Sequence, residues 1–203
     1  MTYERFNPNW EPTPFNPEYA EWQGVLKRGP SFEEEALITC YQDVFAGYPW
    51  FETWSTKDVR ATLRRIPEGA SCWIYVDNDL RCGPYVMGFT WGFEISDSDL
   101  TKMTDPKTVA AFRSKFGGGR IAYQSELGVL ESHRKRGVAR ELVSRRNQDF
   151  LQLGLEIGVI RTKADPPSVT YQWYQRIGYE VFYRYDDGTH RVLMARKLAG
   201  LEF

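Results

Sequence analysis

Cysteine is scarce in this chain: three in 203 residues, Cys40, Cys72 and Cys82. An odd, widely spaced set cannot build the disulfide framework of a small secreted domain. It suits a reducing compartment, and a cytoplasmic protein is expected. Histidine is scarcer, with His133 and His190 alone, so spacing assembles no metal site and none is expected. No stretch approaches the ~20 apolar residues that a membrane-spanning helix needs. Met1 to Pro30 lacks the apolar run of a secretory leader. Excess charge is missing as well. The formal net charge is −1, so no overall field draws nucleic acid or an anionic membrane, and neither partner is expected. There is no internal repeat and no low-complexity tract.

What remains is an ordinary globular composition, 42% hydrophobic and 26% charged, long enough to bury a sizeable core. Pro8, Pro12, Pro14, Pro17 and Pro30 interrupt the first thirty residues, among Trp10, Phe15, Tyr19 and Trp22. Proline restricts this segment to extended and turn conformations, while its aromatics offer surface to bury. Residues 1–30 therefore read as an arm and 31–203 as the body, with Trp22 to Lys27 as a short first strand. Ser31 and Glu34 suggest a capping box opening a helix. Ala36, Leu37, Cys40, Tyr41, Val44 and Phe45 form its buried stripe, and Gly47-Tyr48-Pro49 ends it. Ser55 or Thr56 opens a second helix to about Ile66. Trp50, Phe51 and Trp54, between the two helices, suit either core packing or a substrate wall.

Ser71 to Val76 and Tyr85 to Phe93 read as an antiparallel strand pair. The stretch 94–120 reads as an insertion. Asp105-Pro106 starts a helix in it and Gly117 stops one. Gly117-Gly118-Gly119 suits a hinge, with a plain surface insertion as the alternative. Later, Glu156 to Arg161 is a strand, Val169 to Ile177 a helix, and Tyr179 to Tyr185 with His190 to Lys197 a closing hairpin.

The most informative stretch is Ile121 to Arg146. Ile121, Tyr123, Leu127, Val129 and Leu130 carry a strand signal. His133-Arg134-Lys135-Arg136-Gly137 breaks it. From Val138 the period becomes helical, with Ala139, Leu142, Val143, Phe150 and Leu153 on one stripe. The first turn of a helix presents unpartnered N–H groups and the positive end of the dipole, which favour an anion. Gly137 leaves room for close approach to the backbone, and cations flank it. The physical reading is a pyrophosphate cradle. A solvated basic turn, or part of a nucleic-acid patch, is the plainer alternative for the loop alone.

Arg134-Lys135-Arg136-Gly137-Val138-Ala139 resembles the R/Q-x-x-G-x-G/A signature of the GNAT acetyltransferase superfamily. Tyr174-Gln175-Arg176-Ile177-Gly178-Tyr179 resembles that family's later tyrosine motif. The resemblance covers roughly residues 121–197. It implies an α/β fold: a mixed, mostly antiparallel twisted sheet with a splayed central parallel pair, flanked by helices. It implies acetyl-coenzyme A as cosubstrate, held by Arg134, Lys135, Arg136, Gly137, Val138, Ala139 and Arg140. The pantetheine arm would lie along Leu127 and Val129, with the Val129 N–H polarising the carbonyl. The implied activity is N-acetylation of a small-molecule or peptide amine by direct attack on the thioester. A catalytically silent acyl-coenzyme A-binding sensor or adaptor is the alternative. Tyr174 matches the family's proton-donating tyrosine, a phenol being acidic enough to protonate a departing thiolate. The asparagine often found seven residues earlier in the family is replaced here by Pro167. An amine attacks as its neutral form, so a base or a proton path to water is needed. Glu126 is the candidate and Glu94 the second choice. On an alternating strand Glu126 faces away from Leu127; which face meets the acceptor is left open, as is a homodimer.

Overall fold

The computed structural model describes residues 24–28, 33–48, 50–77 and 85–200. The proline-rich arm before residue 24, Ser31, Pro49, Cys82 and the turn at 78–84 lie outside these residues. Seven strands form one sheet in the order β1-β2-β3-β4-β5-β7-β6. They are β1 (Gly24–Arg28), β2 (Ser71–Asp77), β3 (Tyr85–Ile95), β4 (Arg120–Val129), β5 (Leu155–Lys163), β6 (Glu180–Arg184) and β7 (Arg191–Lys197). Every neighbouring pair is antiparallel except β4 with β5. The expected mixed, mostly antiparallel sheet with a central parallel pair is present.

Strand alternation sorts the helices onto two faces. Phe89 and Trp91 of β3 stack on Tyr41 of α1 (Glu34–Ala46), with ring centroids 5.3 and 6.0 Å away. That face also carries α2 (Thr56–Arg64), whose Val59 and Leu63 complete the core. Gly88 and Gly92 of β3 point to the other face. There a Cβ would meet Val138, Leu142 or Phe150 of α5 (Val138–Gln152). α6 (Val169–Arg176) lies on the same side, with its Tyr174 packed among Ile160, Val192 and Met194. Two expectations for the helices need correction. Helix α1 starts at Glu34, with Glu33 at the cap position making no side-chain cap hydrogen bond. Leu153, placed on the buried stripe of α5, is exposed just past the end of that helix, because the packed face turns instead through Arg146, Asn147 and Asp149.

The 94–120 segment holds two helices rather than one. Helix α4 (Pro106–Phe116) follows the expected signals: Asp105 accepts from Thr108 N at 2.9 Å, and Gly117 ends it at φ +90°. Helix α3 (Asp97–Met103) precedes it, started by a capping box between Ser96 and Asp99. Leu100, Val109, Phe112 and Phe116 are buried against Ile95, Ile121, Ile157, Val159 and Leu193, on the α1 face of the sheet. Arg113 donates from Nη1 to the carbonyls of Gly117 and Gly119. The triglycine is tied down and the segment is a layer of the core, so the hinge expectation does not hold.

Strand β4 carries a bulge that matters later. Phe93 pairs with Tyr123, but Trp91 pairs with Glu126, so Gln124 and Ser125 together face the single residue Gly92. A Cβ on Gly92 would lie 2.5 Å from the Tyr123 carbonyl oxygen and 2.7 Å from the Phe150 ring. Backbone oxygen cannot swing away as a side chain can. Gly92→Ala should therefore destabilise the protein by about 1–3 kcal/mol, read as a lower melting temperature by calorimetry; an unchanged melting temperature would show that the bulge tolerates the methyl group.

Candidate active site

The parallel pairing of β4 with β5 stops at Gln124 and Ile160. Both strands nevertheless continue, β4 to Val129 and β5 to Lys163. The result is a wedge-shaped cleft in mid-sheet. Leu130 N donates to Met87 O of β3 at 3.0 Å. By alternation the amides of Val129 and Leu127 point the other way, into the cleft.

The apex of the cleft is filled from below by Arg146 of α5, which is fully buried. Its Nη1 donates to Thr90 Oγ1 and, at 3.1 Å, to the Glu126 carbonyl oxygen. Its Nη2 donates to Gln124 Oε1 and, at 2.9 Å, to Tyr174 Oη. Tyr174 Oη donates in turn to Gln124 Oε1 at 2.9 Å, and Gln124 Nε2 donates to Tyr179 Oη. Among the described residues no carboxylate bonds to this guanidinium; its charge is met by neutral oxygens and by the Phe150 ring, 5.9 Å away.

Helix α5 opens at the mouth of the same cleft. Helices α2, α3, α4 and α6 are capped by the side chains of Ser55, Ser96, Asp105 and Ser168. The cap of α5 is Gly137, left-handed at φ +85°, which offers no side chain to its first-turn N–H groups. A Cβ there would have nothing within 4 Å. Arg134, Lys135, Arg136 and Arg140 are exposed around this opening, and Arg134 Nε donates to Val129 O at 3.2 Å. The loop, Val138, Ala139 and the backbone of Leu127 and Val129 thus converge on one side of the sheet.

Glu126 comes to the cleft from the opposite side. Pairing across from Trp91, it faces α1, and the bulge is what puts it there. Burial pushes its carboxyl up to about 8; Arg161 opposes this, Glu52 adds to it and Arg191 opposes. Burial, with the charges of Glu126 and Glu52, likewise raises the Tyr41 phenol. Glu52 is held by Trp54 Nε1 at 3.0 Å and Arg191 at 3.4 Å. The aromatic wall divides. Trp50 and Trp54 pack on the core, whereas Phe51 is 72% exposed on a positive φ of 51°. Glu94, the second-choice base, points to the α5 face, where Arg120 Nε holds it at 2.8 Å and keeps its carboxyl low.

Neither a protein-family model nor a curated protein matches the sequence. Solved structures do match. Arabidopsis thaliana NAA60 in complex with acetyl-CoA is 17% identical; the match covers 88% of this chain and 100% of that one, with a TM-score of 0.60. The ribosomal-protein-S18-alanine N-acetyltransferase of Escherichia coli is 12% identical over 89% and 100% of the two chains, with a TM-score of 0.55. A GNAT-family structure from Desulfovibrio desulfuricans gives 12%, 87%, 99% and 0.58.

The chain has the GNAT fold.

On this fold, sequence reasoning missed Arg146, Gln124 and Thr90. A signal for Arg146 existed: it stands between Leu142 and Phe150 at intervals of four, inside the apolar stripe. The cradle can be tested directly. A carboxylate introduced by Gly137→Asp would accept the first-turn N–H groups itself and repel an anion. Calorimetric affinity for coenzyme A should fall at least about a hundredfold, the loss of two charge-assisted hydrogen bonds. Unchanged affinity in the folded variant would remove the pyrophosphate from this loop.

Proposed function

We propose that this chain is an acetyl-coenzyme A-dependent N-acetyltransferase acting on a small-molecule or peptide amine. One observation carries the reading. The half of β4 that β5 leaves unpaired, with the Leu127 and Val129 amides facing the gap, stands beside an uncapped, cation-ringed helix start. The residues present fit the coenzyme: open space at Gly137 and cations for the pyrophosphate, extended backbone for the amide-rich arm. Acetyl-CoA in NAA60 and the protein amine named for the Escherichia coli enzyme support the same assignment. When bound, the coenzyme supplies an acetyl thioester, whose C–S bond is exchanged for a C–N bond to the acceptor.

The chain's own groups divide the work by face. The Val129 N–H stands ready to donate to a carbonyl oxygen developing negative charge. Glu126, on the α1 face, takes the proton from the attacking amine; a carboxyl raised to about 8 binds that proton far better than an ordinary one. Tyr174, on the α5 face at the apex, supplies a proton from Oη to the departing sulfur, with Gln124 and Arg146 fixing its ring and hydroxyl.

The pH dependence follows from the sign of the Glu126 shift. A carboxyl raised in the folded state stabilises the fold most at low pH and loses that contribution as pH rises toward 8. Its activity as a base runs the other way, since only the carboxylate accepts a proton. Steady-state acetyl transfer should rise with pH through about 8. Glu126→Gln should remove that limb and lower turnover 10²–10⁴-fold. Tyr174→Phe, which keeps the ring, should lower kcat within the same range and leave coenzyme affinity in place. Turnover of both variants within about twofold of the parent, with chemistry rate-limiting, would contradict these roles; coenzyme binding without turnover in the parent would make the chain a silent binding module.

A further inference from the structure

The α1 side of the cleft holds a cation, Arg161, that the transfer chemistry does not use. Arg161 is the first residue of β5 beyond Ile160, the last one paired with β4. Alternation from the buried Ile157 and Val159 puts it on the same face as Glu126. The two side chains therefore look toward each other across the opening. They are close enough for each charge to be felt by the other, yet they form no ion pair. Arg161 is exposed and, among the described residues, bonds to no carboxylate. Arg191, its neighbour from β7, is already committed to Glu52.

Beside Arg161 lies Tyr185, at the end of β6, where its amide donates to Arg191 O at 3.1 Å. Its hydroxyl is buried, with the Arg161 guanidinium beside the oxygen and, among the described residues, no acceptor for its O–H. A buried O–H left without an acceptor is costly, and such a group calls for an explanation. A guanidinium and an unspent hydroxyl donor side by side form a receptor for a carboxylate. The opposite wall of the opening is Glu126, the group that meets the amine. Glu52, bonded to Arg191 and felt by Glu126, stands beside them.

We propose that the acceptor is an amine that carries its own carboxylate: the amine lies against Glu126, and the carboxylate lies against Arg161 and Tyr185. This rests on the acetyl-transfer reading above and narrows it to a substrate class. Two sources supply that chemistry: a free amino acid, or a peptide whose first residue is acidic.

The test is acetyl transfer by the intact chain to matched acceptors. The twenty common amino acids are compared with their carboxamides. Separately, tripeptide amides beginning with Asp or Glu are compared with those beginning with Asn or Gln. In one of the two sets kcat/KM should favour the carboxylate at least about tenfold, as one charge-assisted hydrogen bond would give, and that set names the source. Arg161→Gln should bring the ratio to within about threefold of one, and Tyr185→Phe should reduce it less. Both ratios are internal to one protein preparation, so a general loss of activity does not imitate the result. Transfer at equal rates within both sets overturns the substrate class while keeping the transferase. A preference that survives Arg161→Gln overturns the assignment to Arg161. No transfer to any acceptor, with coenzyme still bound, overturns both readings.

Discussion

The site depends on one buried cation. A guanidinium with no exposed surface and, among the described residues, no carboxylate partner is expensive to hold inside a protein. Arg146 is tolerated because four oxygens converge on it, from Thr90, Glu126, Gln124 and Tyr174. Those oxygens belong to β3, β4 and α6, so satisfying one charge fixes three elements around the apex of the cleft. The Glu126 carbonyl is the point where β4, having bulged, resumes pairing with β3. Holding that carbonyl on one face holds the Glu126 side chain on the other. The position of the candidate base is therefore tied to a residue on the opposite side of the sheet.

This arrangement separates two chemistries by the thickness of a sheet. The anion cradle, the apex network and Tyr174 belong to the α5 face; Glu126, Glu52, Arg161 and the exposed Phe51 belong to the α1 face. They communicate through the gap where β4 and β5 part. Helices α3 and α4 bury the lower half of the α1 face against Ile121, Ile157 and Leu193, which confines the accessible part of that face to the neighbourhood of Glu126.

Much of this was legible in the sequence, for identifiable reasons. The change from strand to helical period around Gly137 marks β4 and α5, because both elements have one apolar side. Asp105-Pro106 and Gly117 bracket α4 by cap chemistry alone. Helix α3 escaped notice because seven residues with one buried apolar side chain, Leu100, leave no period to read, although the Ser96 and Asp99 capping box was present. The bulge at Gln124 and Ser125 has no local signature; it follows from how β3 and β4 must pair around Gly92. The face of Glu126 was undecidable for the same reason. Arg146 carried no expectation, since charge at a helical position is usually solvated, and its place within the stripe of Leu142 and Phe150 carried the opposite message.

The central claim is that the unpaired end of β4 and the start of α5 together receive the coenzyme. Amide hydrogen exchange with and without acetyl-coenzyme A tests it most directly. The account predicts slowed exchange at the Leu127 and Val129 amides and through Gly137 to Arg140, with β2 and β7 unchanged. Binding accompanied by protection elsewhere, and none along these two segments, would contradict it.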